Sequence, residues 1–299
     1  MLEQQSVRSW RPASTGCRRV EPVIRPLIRR LIGLPVRLPV RRLAVAGLAL
    51  AVTACATAPE TGRQQLLLVS PSEEARMGIQ AFNQLKTKEP VIRSGKQAEM
   101  VREVGARISK VAPLPAAQWE FVLFDDKQPN AFALPGGKVG IYTGILPITQ
   151  NEAGLATVMG HEVAHAVARH GAERMSQNIA VQIGGAILGA ALGPEASTTK
   201  DVAMQAYGLG AQYGVLLPYS RTQELEADQL GLLYMARAGY DPAEAIAFWK
   251  RFAAYNAKHG GKPPAFLSTH PLDARRIAQL EQMLPQARAE YERAKARGA

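Results

Sequence analysis

Cysteine is almost missing. Cys17 and Cys55 are the only two in 299 residues. A Cys-rich zinc site is therefore excluded, and no internal disulfide is left if Cys17 is removed with an N-terminal segment. Long apolar runs are missing too. Leu43–Thr53 and Ile179–Leu192 both fall short of the ~20 residues that a membrane-spanning helix needs. Aromatic residues are only 6% of the chain, and there is no RNA-binding aromatic motif or zinc-finger spacing. Acidic residues are scarce at one end: residues 1–54 hold 10 Arg against Glu3 and Glu21, a net +8 within the total of +11. The remaining +3 is ordinary. The basic pI thus belongs to the N-terminus, and nucleic acid is not an expected partner. No internal repeat of about 30–40 residues is present, and a chain of this size is expected to build one main domain.

The N-terminal excess reads as a targeting segment. Arg41-Arg42 precede the apolar run, and Val52-Thr53-Ala54-Cys55 closes it with small residues. A charged region, a short apolar region and a small-residue boundary describe a secretory signal. The last four residues resemble a bacterial lipobox, which implies cleavage before Cys55 and a lipid anchor on it. Ala56 is not Asp, so the usual inner-membrane retention signal is missing. The expected address is the periplasmic face of the outer membrane of a Gram-negative bacterium. Residues 1–35 are long, Arg- and Pro-rich for a signal, so translation is expected to start near residues 36–38. The organisation is then a signal segment over 1–54, a lipidated polar tether over 55–70 and a catalytic domain over 71–299.

Within that domain, Ser70-Pro71-Ser72-Glu73-Glu74 opens a helix to about Lys88. A second runs from about Gln97 to Val111 and ends before Pro113. Trp119–Phe124 reads as a strand, and Lys138–Tyr142 as another. Asn130–Leu134 is either a plain hairpin piece or part of an edge that pairs with an extended peptide backbone; Asn130, Lys138, Val139 and Gly140 are the candidates for that strand. Ile179–Leu192 is a mobile cover, a lipid-facing segment or a buried helix. Asp241-Pro242-Ala243-Glu244 reads as a capping box, and the final charged helix should bend at Pro285.

Only five residues are His, yet two of them form His161-Glu162-Val163-Ala164-His165. On a helix, residues four apart lie about 40° apart round the axis. Both imidazoles can therefore grip one metal ion, while Glu162 reaches a water on it without ligating. Asn151 to about Arg174 reads as one long helix, buried along the stripe Leu155, Val158, Met159 and Val163. His170 would lie about 140° round that helix from His165 and point to solvent.

A catalytic zinc site needs a third protein ligand. Glu224 and Asp228 lie one turn apart on Ser220–Asp228, so one could ligate while the other orients a ligand histidine. Glu226, about 200° from Glu224, is expected to face solvent.

His161–His165 followed by Ser220–Gly231 resembles the zinc peptidases that include HtpX, the CAAX prenyl proteases, the mitochondrial Oma peptidase and BepA. Asn130–Gly137 and Ser268-Thr269-His270-Pro271 also fit, and the resemblance spans about residues 70–285. The small periplasmic lipoprotein members are the nearest likeness. The resemblance implies an α+β, mostly helical, zincin-like fold with a small sheet beside the metal helix. It implies one zinc ion on His161, His165 and Glu224, Glu162 as catalytic base and Asp228 behind the ligands. It further implies an endopeptidase of the cell envelope that degrades misfolded or stalled envelope proteins. His270 and Arg276 are candidates for stabilising the oxyanion. His270 has two other readings, a fourth zinc ligand that holds the site latent and a structural loop residue. The rival function is a zinc-stabilised chaperone or assembly factor at the outer membrane; an intact Glu162 argues against it.

Overall fold

In the computed structural model, residues 55–193, 197–212, 216–259, 264–272 and 274–298 are described. The expected signal segment, with Cys17, lies outside them. The chain divides into Met1–Leu68 and Val69–Ala299. In the first unit the expected polar tether is instead a small hairpin. Strand β1 (Cys55–Thr57) pairs antiparallel with β2 (Gln64–Leu66), Cys55 opposite Leu66. Pro59 and Gly62 supply the turn, with Gly62 at φ 71°.

The second unit begins where the hydroxyl cap predicted it. Helix α1 (Pro71–Lys88) starts on a full capping box between Ser70 and Glu73. Helix α2 (Lys96–Val111) buries Val101, Val104 and Ile108. Four strands follow the order β3 (Val91–Ile92), β4 (Glu120–Phe124), β6 (Lys138–Tyr142), β5 (Ala131–Leu134) across one sheet. β4 and β6 are parallel; β3 and β5 run antiparallel to their neighbours. Lys138, Val139 and Gly140 therefore lie on an inner strand with both sides paired. They cannot take a peptide by main-chain bonding, which corrects the expectation for them. The edge is β5, whose Phe132 and Leu134 register with Gly140 and Lys138.

After a short 3-10 turn (Thr143–Ile145) and α3 (Leu146–Thr149), helix α4 (Glu152–Val167) starts on Asn151, whose side chain accepts from the Gly154 N–H. It is buried on all sides, not along one stripe: His161, Glu162 and His165 are as enclosed as Leu155 and Val163. The long helix expected over Asn151–Arg174 is broken. Arg169 takes a left-handed φ of 59°, and α5 (His170–Ala191) leaves in a new direction. Its far half packs on α6 (Thr198–Ala211) through the Tyr207 hydroxyl, which donates to the Val181 carbonyl at 2.8 Å. Ile183 and Ile187 are exposed, so the buried-helix reading of Ile179–Leu192 fails. No helix among the described residues is long and apolar enough to cross a membrane.

Helix α7 (Leu217–Arg237) crosses α4 at two glycines. A Cβ on Gly160 would stand 2.8 Å from the Gly231 carbonyl oxygen, and one on Gly231 2.7 Å from the His161 nitrogen. Only glycine lets the backbones approach this closely. Helix α8 (Ala243–Lys258) starts one residue after the expected register: Pro242 is the cap, and Asp241 accepts from the Ala243 N–H at 2.9 Å. Its Glu244 pairs with Arg251 rather than closing a capping box. Short α9 (Ala265–Thr269) and long α10 (Ala274–Ala296), which contains Pro285, complete an α+β, mostly helical fold.

Candidate metal centre

The helix crossing brings the histidines of α4 against the carboxylates of α7. His161 Nε2 and His165 Nε2 face each other at 3.1 Å. Glu224 lies 3.3 Å from the first, through Oε2, and 3.4 Å from the second, through Oε1. From the end of α9, His270 places Nδ1 3.2 Å from His161 Nε2 and 3.0 Å from Glu224 Oε2. One donor atom from each of these four buried residues falls within 4.8 Å of all the others. Two imidazole lone pairs and a carboxylate converging on one point are a donor set that could hold one metal ion.

Glu162 stands beside this point and does not join it. Its Oε2 accepts from the Ala133 N–H of β5 at 3.2 Å. Its Oε1 is buried without an aligned hydrogen-bond donor, although His270 Nε2 is 3.2 Å away. An orphaned carboxylate oxygen in a dry site is unfavourable unless a group such as water completes it. Strand β5 and His165 line a cleft of about 220 Å³ in front of Glu162.

Behind these four residues is a buried ionic layer. His161 Nδ1 donates to Asp228 Oδ1 at 3.0 Å. Arg276 donates to both oxygens of Asp228, at 2.6 and 2.8 Å, and to the carbonyls of His270 and Pro271. Its guanidinium lies 4.0 Å over the Trp249 ring. With its donors so committed, Arg276 holds Asp228, and the expectation that it faces a reacting carbonyl is corrected. Burial disfavours a charged His161 ring, yet Asp228 and Glu224 outweigh it and push its pKa up to about 9. Burial drives His165 well below its ordinary value. Burial also penalises the carboxylates, but hydrogen bonds with His161, His165 and His270 hold Glu224 well below the usual range and Arg276 holds Asp228 down.

Two expectations fail at the break after α4. His170 is fully buried, not solvated, and its Nδ1 lies 2.8 Å from His165 Nδ1. Glu226 is buried as well, with Oε2 3.0 Å from His170 Nε2. The angle projected past Arg169 missed His170, and Glu226, on unbroken α7, is buried because His170 packs against it. The signal available was composition: four of the chain's five histidines sit in this one cluster.

The description Peptidase family M48 matches residues 95–284. The chain belongs to Peptidase family M48. It is 37% identical over 237 residues to the mitochondrial metalloendopeptidase OMA1 of Schizosaccharomyces pombe, covering 78% of this chain and 68% of the relative. It is 39% identical over 184 residues to the protein of the same name in Saccharomyces cerevisiae, covering 60% of this chain and 51% of that one. It is also 29% identical over 250 residues to the beta-barrel assembly-enhancing protease of Escherichia coli K12, covering 81% of this chain and 51% of the relative. The chain thus spans only about half the length of the last two. As an M48 member with these relatives it is a metalloendopeptidase, and its fold is of the zincin-like type.

Proposed function

We propose that this protein is a zinc-dependent endopeptidase of the bacterial cell envelope that hydrolyses misfolded or stalled envelope proteins. The observation that carries the reading is the juxtaposition of Glu162 with both the ligand cluster and the edge strand β5. His161, His165 and Glu224 would hold one zinc ion. When bound, zinc supplies Lewis-acid polarisation of the scissile carbonyl and acidifies the attacking water. Glu162 Oε1, buried and lacking an aligned donor, takes the proton of that water. It then delivers the proton to the leaving amine. Asp228 and Arg276 keep His161 in place through the step.

Substrate selection follows from β5. Tyr142 donates its N–H to the Asn130 carbonyl, and alternation along the strand turns the backbone of Ala131 and Ala133 outward, into the cleft. An extended peptide adds there through the outward carbonyls, since Asn130 Oδ1 and Glu162 Oε2 hold the Ala131 and Ala133 N–H groups, and its own carbonyl lies beside Glu162. Only chain that is already unfolded can present itself in this way. Asn130 sits at the start of this edge, its side chain accepting from the Ala131 N–H at 3.0 Å. The envelope location is supported by Arg41–Cys55, with a lipid anchor on Cys55, and by the name of the Escherichia coli relative. The test is cleavage of casein by protein purified from Cys55 onward. Cleavage abolished by a chelator and restored by zinc is expected. A folded, zinc-loaded protein that cuts no unfolded substrate would leave two readings, a latent site closed by His270 or the chaperone.

His270 favours a second reading of the same site, latency. Its Nδ1 stands among the ligand atoms and its Nε2 beside Glu162. As a fourth ligand it would close the position that water and substrate need.

A further inference from the structure

His170 and Glu226 are buried, ionisable and unused by the mechanism above. They meet behind the metal centre because of the break between α4 and α5. Arg169 is fixed there by Glu74, which accepts from its Nε at 2.7 Å, and by the Val69 carbonyl, which accepts from Nη2 at 2.9 Å. This holds the left-handed turn that swings the His170 ring back beneath His165. A second tie between α5 and α7 keeps the pair together: Gln223 Nε2 donates to Glu173 Oε2 at 2.7 Å.

The distances fix a direction for the hydrogen bonds. His165 turns Nε2 towards Glu224 and His161. An imidazole that ligates through Nε2 carries its proton on Nδ1. His165 Nδ1 and His170 Nδ1 are 2.8 Å apart, a separation that holds one proton and not two. His165 therefore donates and His170 accepts. The proton of the neutral His170 ring must then be on Nε2, which faces Glu226 Oε2 at 3.0 Å. The two histidine ligands thus have separate carboxylate supports. His161 reaches Asp228 directly, and His165 reaches Glu226 through an intervening imidazole.

We propose that His170 and Glu226 are positioning residues, which lock His165 in the tautomer and ring orientation that present Nε2 to the metal. The proposal rests on the zinc-site reading above. Partners that orient a ligand histidine in this way are worth about 10–100-fold in metal affinity. His170 must act by accepting a hydrogen bond, not merely by filling space. Asn at this position keeps an accepting oxygen near the place of Nδ1; Leu does not.

The test measures zinc affinity by competition with a fluorescent chelator, for the wild type, His170→Leu, His170→Asn and Glu226→Gln. Thermal unfolding of each metal-free protein and the visible spectrum of each cobalt(II) form are recorded alongside. His170→Leu should bind zinc about 10–100-fold more weakly and shift the cobalt bands. His170→Asn should stay within about threefold of the wild type, and Glu226→Gln should fall between the two. Affinity of His170→Leu within about twofold of the wild type would overturn the proposal, as would equal losses in Leu and Asn that track a lowered melting temperature. Should His170→Leu not fold, the comparison passes to Glu226→Gln, where unchanged affinity and unchanged cobalt bands would overturn it. A wild type that binds no zinc would instead sink the metal-site reading itself.

Discussion

Removing Arg276 should be among the most damaging single changes in the domain. The residue is 1% exposed and makes two short bonds to Asp228, at 2.6 and 2.8 Å. Arg276→Met keeps much of the volume against Trp249 but leaves buried Asp228 with His161 alone as its charge partner and removes the guanidinium 3.3 Å from Glu224. Breaking one side of a buried ion pair costs about 3–5 kcal/mol. In a domain the size of Val69–Ala299 each kcal/mol lowers the melting temperature by about 2–4 °C, so a drop of about 6–20 °C is expected. The measurement is thermal unfolding in excess chelator, which removes any contribution from metal. Asp228→Asn/Arg276→Met removes both charges of this pair. It should therefore be more stable than the sum of the single effects by about 1–3 kcal/mol. A single variant within about 2 °C of the wild type, or strict additivity in the double variant, would refute the reasoning.

Three further outcomes follow from the same geometry. Ala133→Pro removes an outward N–H of β5 that also holds Glu162 Oε2, so cleavage of unfolded substrates should fall at least about tenfold while zinc content stays at one per chain; full activity would show that this N–H serves neither Glu162 nor the peptide. His270→Ala should raise basal proteolysis if this imidazole closes the site, and equal or lower activity would dismiss latency. In metal-free protein, the lowered pKa of Asp228 gives stability that is complete above about pH 4 and lost as the pH falls further. The raised pKa of His161 gives stability that is complete below about pH 6.5 and lost as the pH climbs towards 9. Urea unfolding across this range should show both losses in the wild type and smaller ones in Asp228→Asn, where Glu224 still acts on His161, and parallel profiles would contradict the assignment.

The parts of the site readable in sequence are those set by local periodicity. His161 and His165 share a helix, as do Glu224 and Asp228, and about 100° per residue places each pair correctly. Ser70 and Glu73 announced a helix start for the same local reason. What depended on contacts between elements was not readable. The close approach of α4 and α7 needs Gly160 and Gly231 to face one another, and neither glycine advertises its partner. Strand order is equally non-local, so Lys138–Gly140 was expected at the pairing edge and lies on an inner strand instead. His170 was misplaced because a left-handed residue at Arg169, anchored from Glu74, interrupts a stretch whose composition reads as unbroken helix; Glu226, on unbroken α7, was misplaced because nothing local shows that His170 packs against it.

The most direct test of the central claim separates metal binding from chemistry. Wild type and Glu162→Gln are purified in parallel, their zinc is quantified by elemental analysis, and both are assayed on casein. The account predicts one zinc per chain in each protein. Cleavage by Glu162→Gln should be lower by about two to four orders of magnitude. Undiminished cleavage by a zinc-loaded Glu162→Gln would contradict the assignment of Glu162 as the base, and with it the mechanism built on this centre.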